Sequence, residues 1–514
     1  MAIKKYKADA DNTIVNTFKP GLKLRATGSN AGYADIIEAY SIYGRESSGS
    51  QELSRILIKF PISEISADRT ASTIPASGSV SFYLRLFNAE HSKTVPEDLT
   101  LTISAISQTW QEGIGLDLET YKDNTDGNKG SNWMSASNTA AWQTIGGDYL
   151  TDTGFTFSQN FESGLEDLNV DITDLVERWI AGTQENYGVG VHLSSELEAY
   201  HSNSAGQNID GVLHNPSGAT DSYYTKRFFA RGTQYFFKRP VIEARWDSSK
   251  RDDRGNFYYS SSLAPAADNL NTLYLYNYVR GVLKNIPAIG TGSIYVDLYS
   301  GSTDGTEPTG SALAQHVTLP ATGGYVSTGI YSCSVCLTAS ATPVELLFDV
   351  WRGSDSTSSL GWAKTEYFTG SIIPSVLYAA QTVAKPVYYI SITNNRGKYR
   401  NDETARFNLY VRNKYWQPTI YTVANSAVPT TTIASASYRV FRTIDGLEAI
   451  PYGTGSASHT LMSYDVKGNY FNFDMNNLQP GYEYAFKFAF YEPEIESWSE
   501  QPETFKFRVE QYEY

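Results

Sequence analysis

Residues that could bind a metal or form a disulfide are few and scattered in this sequence. None of the six histidines forms an HxxxH or HxH pair or lies at ligand spacing from a cysteine or an acidic pair, which argues against a zinc site. Cys333 and Cys336 form one CSVC motif in an alternating, strand-like run, where side chains three positions apart point to opposite faces. A CxxC without a second pair is a weak metal signal, so we predict two free, buried thiols.

One loop and many carboxylates resemble parts of known sites but lack the required order. The loop KDNTDGN at 122–128 is similar to a calcium loop, but Asp123, Thr125 and Gly127 break the alternation of Asp and Asn ligands, and we interpret it as an ordinary turn. With 55 acidic residues, carboxylate pairs are too common to indicate glycosidase chemistry, and the sequence has no GxSxG, P-loop or GxGxxG motif at a strand–helix junction. The sequence therefore predicts a non-enzymatic protein with no catalytic, cofactor-binding or metal-binding residues and no cofactor.

One stretch has a clear helical period, and the first part of the chain is organised around it. It reads NVDITDLVERWIAGTQENYGVGVHL at 169–193, and its apolar side chains share one helical face: Ile172, Leu175, Val176, Trp179 and Ile180. Asp171 or Thr173 can cap the start, and Gly182 can end the helix in a left-handed conformation. We predict a short helix over about 172–181 that plugs the open end of a β-sandwich, followed directly by a half-buried strand.

Composition and turn content predict an all-β chain. The 514 residues are too many for one core, aromatic residues make up 14%, and 38 Tyr stand against 4 Met, with 40 Gly. We predict three tandem β-sandwich domains, at 1–247, 258–376 and 380–514. The second is expected to be immunoglobulin-like and the third fibronectin type III-like or immunoglobulin-like, with the polar segment 248–257 as a linker. In the third, LQPGYEY at 478–484 has the spacing of a tyrosine corner, in which the Tyr484 hydroxyl bonds back to the backbone.

Alternating runs predict the strands of the first domain, and one long stretch breaks the pattern. Residues 79–89 and 98–107 are expected to pair as inner strands, and 226–246 is expected to form two closing strands. Between 109 and 168 the pattern gives way to Gly, Asn, Ser and Asp around three tryptophans, Trp110, Trp133 and Trp142. Long irregular segments in compact domains are usually functional, so this insertion is a candidate interaction element.

The net charge and the distribution of apolar residues limit which partners and which compartment we expect. The net charge of −14 repels phosphate backbones and argues against a nucleic-acid partner. In the segment from Lys226 to Arg245, basic residues alternate with phenylalanines. This pattern is typical of an edge strand whose charges prevent it from pairing with another chain. The first residues have no apolar signal-peptide core, and no apolar run reaches the ~18 residues of a membrane span. We expect a protein made in soluble form in a reducing compartment, with no membrane partner.

Residues 7–247 resemble, in order, a DNRLRE-type β-sandwich. The resemblance is carried by ADADNTIVNTF, ELSRILIKFPIS, SVSFYLRLFNA, TWQEG, the VDITDLVERWIAGTQENYGVGVHL unit and KRPVIEARW. The stretches SGSQELSRILIKF, FNAEHSKTVPEDLTL, SQTWQEGIGLDLETYKD and GSNWMSASNTAAW are similar to virion structural proteins of tailed bacteriophages, particularly marine and cyanobacterial myophage-like ones. The resemblance implies a role in capsid decoration, the neck or the tail, with immunoglobulin-like or fibronectin-like domains appended. The insertion at 109–168 is longer than in generic members of the sandwich family.

Three functional hypotheses follow. The leading one is a virion structural protein, made in the host cytoplasm, that contacts other capsid, neck or tail proteins as a homo-oligomer or in multiple copies. The alternative is a carbohydrate-binding surface adhesin, because the resemblance also includes sandwiches that bind acidic polysaccharides; Trp110, Trp133 and Trp142 would then stack on a host-surface glycan. The third, a polysaccharide-degrading enzyme, needs two carboxylates about 5–9.5 Å apart. Exposed indole faces favour the adhesin, whereas buried ones favour the structural protein.

Overall fold

The computed structural model describes residues 2–19, 21, 23–42, 50–91, 96–116, 130–301, 308, 310, 312–313, 321–338, 344–353, 365–375, 387–417, 430–453, 457–493 and 496–512. The chain divides into two compact units: unit 1 comprises Met1–Asp247 and Thr454–His459, and unit 2 comprises Ser248–Gly453 and Thr460–Tyr514. Strands dominate both units, and the described residues include two short α-helices, which confirms the predicted all-β class. None of these helices is long and apolar enough to cross a membrane.

Unit 1 is built from two antiparallel sheets around one hydrophobic core. Its elements are β1 (Ile3–Lys7), β2 (Ala10–Val15), β3 (Ile36–Ile42), β4 (Glu52–Lys59), α1 (Ile62–Thr70), β5 (Ser81–Leu86), β6 (Leu99–Ala105), β7 (Thr156–Phe161), β8 (Leu168–Asp171), α2 (Thr173–Ala181), β9 (Val189–Leu193), β10 (Tyr223–Phe229) and β11 (Val241–Arg245). A four-stranded sheet has the order β1-β11-β5-β8, and a seven-stranded sheet has the order β10-β3-β4-β9-β6-β7 with β2 paired to β4. Both sheets contribute to the core, for example Leu84 from β5 and Leu101 from β6.

The strands predicted at 79–89 and 98–107 are present but do not pair with each other, so that prediction was wrong. β5 lies between β11 and β8 in one sheet, and β6 lies between β9 and β7 in the other. Their alternating apolar side chains meet across the core instead. Alternation identifies which face of a strand is buried, but it carries no information about which strand is its neighbour. The two closing strands predicted within 226–246 correspond to β10 and β11.

The predicted Trp-containing helix is confirmed as α2. Its apolar stripe is buried in the core, and Trp179 is 5% exposed. The Asp171 carboxylate accepts a hydrogen bond from the backbone N–H of Thr173 at 2.9 Å, while the Thr173 hydroxyl accepts one from the N–H of Phe82 in β5 at 2.8 Å. Gly182 ends the helix with φ 70°, as its position indicated. The helix is therefore joined at its start to the four-stranded sheet.

The other helix, α1, was not predicted from the sequence. It follows Pro61 directly and buries Ile65 as its core residue, so it lacks the apolar stripe on which helix prediction depends. Its partner is α2: Arg69 donates to both carboxylate oxygens of Glu177, at 2.6 and 3.2 Å. Tertiary packing therefore stabilises α1 more than its own periodicity does.

Unit 2 contains the remaining strands. They are β12 (Asn271–Tyr276), β13 (Tyr278–Val279), β14 (Val282–Leu283), β15 (Ile294–Gly301), β16 (Ala321–Ser327), β17 (Ile330–Val335), β18 (Leu346–Arg352), β19 (Glu366–Ile372), β20 (Tyr388–Ile392), β21 (Lys398–Arg400), β22 (Thr404–Asn413), β23 (Ala436–Arg442), β24 (Glu448–Ile450), β25 (Ser463–Asp465), β26 (Gly468–Asp474), β27 (Glu483–Glu492), β28 (Ser497–Glu500) and β29 (Phe505–Glu510). One six-stranded sheet has the order β12-β17-β16-β15-β18-β19, beside the β13-β14 hairpin. A four-stranded sheet, β20-β22-β26-β25, and a six-stranded sheet, β21-β29-β27-β23-β24 with β28 on β27, follow.

Two local predictions for unit 2 are confirmed. Tyr484 donates its hydroxyl proton to the backbone oxygen of Gln479 at 3.0 Å, which is the contact of a tyrosine corner. The ring of Phe486, two residues on, stacks on Phe507 with centroids 4.5 Å apart. Cys333 and Cys336 are both buried and free of a disulfide.

The polar segment 248–257, interpreted as a linker, is folded into unit 2. Asp252 is 3% exposed, and Arg254 donates from Nε to Asp349 Oδ2 at 3.0 Å. The hydroxyl of Tyr464 donates to Asp253 at 2.6 Å. The charged residues of this segment therefore form ion pairs and hydrogen bonds inside unit 2. Composition alone does not show whether a charged residue is paired in this way or exposed to solvent.

Candidate functional site

The insertion forms a second hydrophobic layer on unit 1. In β4 the residues Ile56 and Ile58 face the core between the sheets, whereas Leu53 and Leu57 face the opposite side of the seven-stranded sheet. That side is covered by the described residues of 107–155 and 194–222, which we call the cap. Their buried side chains form a cluster with β4 and β2: Ile14, Leu53, Leu57, Ile106, Trp110, Trp133, Ala136, Trp142, Ala199 and Leu213. Both faces of β4 are therefore buried.

The three tryptophans of the insertion lie inside the cap. Trp110, Trp133 and Trp142 are 8%, 0% and 5% exposed. The indole N–H of Trp110 donates to the backbone oxygen of Tyr187 at 2.7 Å, and that of Trp142 donates to Asn132 O at 2.8 Å. The adhesin hypothesis predicted exposed indole faces at these positions, and the structure contradicts that prediction. These side chains hold the cap to the sheet.

A buried ion pair joins the cap to β4. Arg55 donates from Nε and Nη2 to the two carboxylate oxygens of Glu198, at 2.8 and 2.7 Å, and from Nη1 to Gly146 O at 3.1 Å. Its guanidinium carbon lies 5.6 Å from the ring centroids of both Trp133 and Tyr149. One arginine therefore contacts both segments of the cap, and the bidentate geometry orients it.

The groups around this ion pair are poor candidates for acid–base chemistry. Burial, followed by the charge on Arg55, lowers the pKa of His192 to about 4. Burial raises the pKa of Tyr149 to about 12. Both side chains are therefore neutral near pH 7, and neither titrates in the range a general base needs. The cluster acts as a structural clamp.

Apolar side chains are also exposed where the segment around Tyr33 meets the start of the cap. Tyr33, Ile114 and Leu116 are 54%, 37% and 59% exposed, and the backbone N–H of Tyr33 donates to Gly115 O at 2.9 Å, which brings the backbone of Tyr33 next to that of residues 114–116. We call them the cap patch. The approach depends on glycine, because a Cβ on Gly32 would lie 2.3 Å from the carbonyl oxygen of Gly113. The patch is therefore built by backbone contacts between two separate segments.

Unit 2 contains a cleft of about 600 Å³, which we call the unit 2 cleft. Two aromatic side chains in its lining are exposed: Tyr278 by 56% and Phe368 by 40%. Arg406 lies over the ring of Tyr470, 3.6 Å from its centroid, and donates to Asp465 Oδ2 at 3.3 Å. The cleft thus combines apolar ring faces with a held guanidinium.

The inner wall of this cleft is backed by a buried ion-pair network. Arg254 donates to Asp252 Oδ2 at 2.7 Å and to the Tyr274 backbone oxygen at 2.6 Å, in addition to its bond to Asp349. Burial raises the pKa of Asp252 to about 6, although Arg254 opposes the shift. Because Asp252 and Arg254 already bond to each other and to neighbouring groups, a ligand would be recognised by the lining groups nearer the rim.

Some of the other residues considered in the sequence lie outside the described part of the chain. The loop at 122–128, with Asp123, Thr125 and Gly127, and His316 lie outside the described residues. Within the described part of the chain, no three or more His, Cys, Asp or Glu side chains are grouped as a metal site. Burial raises the pKa of the Cys333 thiol to about 12, so it is not a reactive thiolate.

The basic segment from Lys226 to Arg245 differs from its interpretation at both of its ends, because Arg245, in β11 between β1 and β5, is 2% exposed. β10 is an edge strand, as edge protection requires, but Lys226 is 0% exposed. Its ammonium donates to Asn88 Oδ1 at 2.7 Å and to the backbone oxygens of Gly164 and Glu166 at 2.7 and 2.8 Å. Lys226 therefore fixes two loops against the strand, a role that its sequence context among phenylalanines did not indicate.

Comparison with known proteins gives no family. No family model matches the sequence, and no curated protein matches it. Among solved structures, trypsin activated alpha-2-macroglobulin from Escherichia coli is similar at 9% identity and a TM-score of 0.15, over 92% of this chain and 30% of that one. A DUF4785 family protein from Legionella pneumophila is similar at 8% identity and a TM-score of 0.14, over 98% of this chain and 91% of that one. The chain thus spans under a third of the length of the first, and at these TM-scores neither likeness supports an argument about function.

Proposed function

We propose that this chain is a non-enzymatic virion structural protein of a tailed bacteriophage, which works through protein–protein contacts in capsid decoration, the neck or a tail appendage. The proposal rests first on the sequence resemblance of residues 7–247 to such proteins. It places the protein in the virion, in multiple copies or as a homo-oligomer, with other virion proteins as partners.

The observation that carries the proposal is the cap patch. Tyr33, Ile114 and Leu116 are large apolar side chains left exposed on neighbouring backbone segments, beside a layer whose other apolar side chains form a buried cluster. Exposed apolar groups that are held in place mark interaction surfaces, and aromatic residues are enriched at the centres of protein interfaces. The backbone bond between Tyr33 and Gly115 joins the two segments of the patch, which lowers the entropic cost of ordering them on binding.

The rival adhesin is weakened at its original site. It relied on Trp110, Trp133 and Trp142 as stacking platforms, and these rings are inside the cap. The same burial is what the structural hypothesis expected. A role for a glycan at a different site of the chain is independent of these residues.

The test is a reconstitution in which purified chain is added to particles that lack it. A chain with Tyr33→Asp and Leu116→Asp is expected to lose binding, because each change puts a charge into the proposed interface. Leu263→Asp is the matched control, since Leu263 is 96% exposed in unit 2 and lies outside the cap. Equal binding of both variants to the particles would refute the role of the cap patch, and no binding of the unaltered chain would refute the proposed function.

A further inference from the structure

The size of the unit 2 cleft is that of a ligand site. Its volume of about 600 Å³ falls within the range of about 300–1,000 Å³ that is usual for small-molecule pockets. Its lining comes from distant segments, including β12, β19, β22 and the β25–β26 turn. All of these segments belong to unit 2.

Two aromatic rings in the lining are unusually open to solvent. Tyr278 belongs to the short β13-β14 hairpin, and Phe368 belongs to β19, which is the edge strand of its sheet. Arg254 lies near the ring of Phe368, 5.3 Å from the centroid, yet 40% of the residue remains exposed. An aromatic face exposed in a cleft is stabilised by a flat ligand with an apolar face, and the C–H face of a pyranose ring is such a surface.

Arg406 is oriented by the protein and still accessible. Three contacts set the plane of its guanidinium: stacking on the Tyr470 ring, the bond from Nε to Asn408 Oδ1 at 3.2 Å and the ion pair with Asp465. The side chain is nevertheless 43% exposed. Asp465 also accepts from the backbone N–H of Lys467 at 2.8 Å, and that lysine is exposed in the same lining. A planar guanidinium held in this way matches the geometry of a carboxylate, and a lysine adds a second positive charge.

We propose that the unit 2 cleft binds a carboxylated saccharide. Tyr278 and Phe368 pack against the sugar rings, Arg406 binds the carboxylate, and Lys467 adds electrostatic attraction. Asn408 is exposed in the same lining and is placed to bond to ring hydroxyls. The ion pairs of Arg254 with Asp252 and Asp349 brace the inner wall. The site is in unit 2, far along the chain from the tryptophans of the insertion, and the inference does not rest on the proposed virion function.

The experiment is calorimetric titration of the full chain with trigalacturonate and with its methyl ester. The acid is expected to bind with one site per chain, and the ester is expected to bind at least tenfold more weakly, because it keeps the ring faces but has no carboxylate charge. Binding of the acid should weaken with added salt, since the rim cations are exposed. Arg406→Gln is expected to weaken it about ten- to hundredfold, the range for losing a hydrogen bond to a charged group. Phe368→Ala is expected to weaken it about two- to tenfold.

The matched control is Arg400→Gln. Arg400 is also exposed, by 51%, pairs with an acidic side chain, Asp402, and lies 3.6 Å from the ring centroid of Tyr512, but it is outside the cleft lining. Its substitution is expected to leave the affinity unchanged, and circular dichroism checks that each variant is folded. No binding of the acid, equal binding of acid and ester, or unchanged affinity in Arg406→Gln would each overturn the proposal. Presence or absence of the protein in particles does not affect these outcomes.

Discussion

Replacing Glu198 by Gln tests the clamp that joins the cap to β4. The change keeps the size and shape of the side chain but removes the charge opposite Arg55, which is 8% exposed. Burial favours the neutral form of Arg55, and Glu198 more than offsets this, so the pKa of Arg55 lies above its usual value. Without the carboxylate, the guanidinium remains charged in a buried place.

The expected loss follows from this burial. Removing one partner of a buried ion pair costs about 3–5 kcal/mol, because the other charge is left uncompensated. For a unit of this size each kcal/mol corresponds to roughly 2–4 °C in Tm, so the unfolding transition of unit 1 should fall by roughly 6–20 °C. Trp133, whose ring is close to Arg55, provides a fluorescence probe of the cap.

The assay is urea and thermal unfolding of the full chain, followed by tryptophan fluorescence and circular dichroism. Glu510→Gln is the control, because the Lys398–Glu510 pair has the same 2.8 Å contact with side chains 69% and 45% exposed. An exposed pair contributes about 0–1 kcal/mol. If Glu198→Gln destabilises the chain no more than Glu510→Gln does, the cap is not held by this ion pair and the reasoning is refuted.

Three further predictions concern other parts of the chain. Trp179→Ala should lower the free energy of unfolding of unit 1 by about 3–5 kcal/mol through the cavity it leaves, measured by denaturant titration; an unchanged midpoint would place Trp179 outside the core. Tyr484→Phe should cost about 0.5–1.5 kcal/mol by removing the bond to Gln479, and a neutral result would mean that the corner contact contributes no stability. Burial lowers the pKa of Lys226 to about 8, so the unfolded chain binds more protons between pH 8 and 10.5 and the stability of the native chain should rise over that interval. Lys226→Met should make this rise in Tm with pH smaller, although burial also lowers the pKa of Lys7 to about 8, and a rise of equal size in both proteins would contradict the assignment.

Local periodicity predicted the elements well. The stripe around Trp179 is a property of nine consecutive residues, and the corner at Tyr484 is a property of seven, so both could be inferred without knowledge of the fold. The alternation at 79–89 and 98–107 likewise identified buried faces. It did not identify neighbours, because pairing depends on the whole topology.

Long-range packing determined the features that the sequence did not indicate. Most neighbours of Trp133 in the sequence are polar. Its burial depends on contacts with β4, including Arg55, which is far away in the chain. Asp252 and Arg254 are polar by composition, yet Asp349 and the backbone of Tyr274 make them internal. The unit 2 cleft is assembled from segments between 252 and 470 that share no motif.

The most direct test of the account is a density map of intact particles from the source of the sequence, combined with mass spectrometry of their proteins. We predict that the chain is present in multiple copies and that Tyr33, Ile114 and Leu116 lie within an interface that buries more than about 1,000 Å². Absence of the chain from the particles, or a map in which the cap patch faces solvent in every copy, would contradict the account.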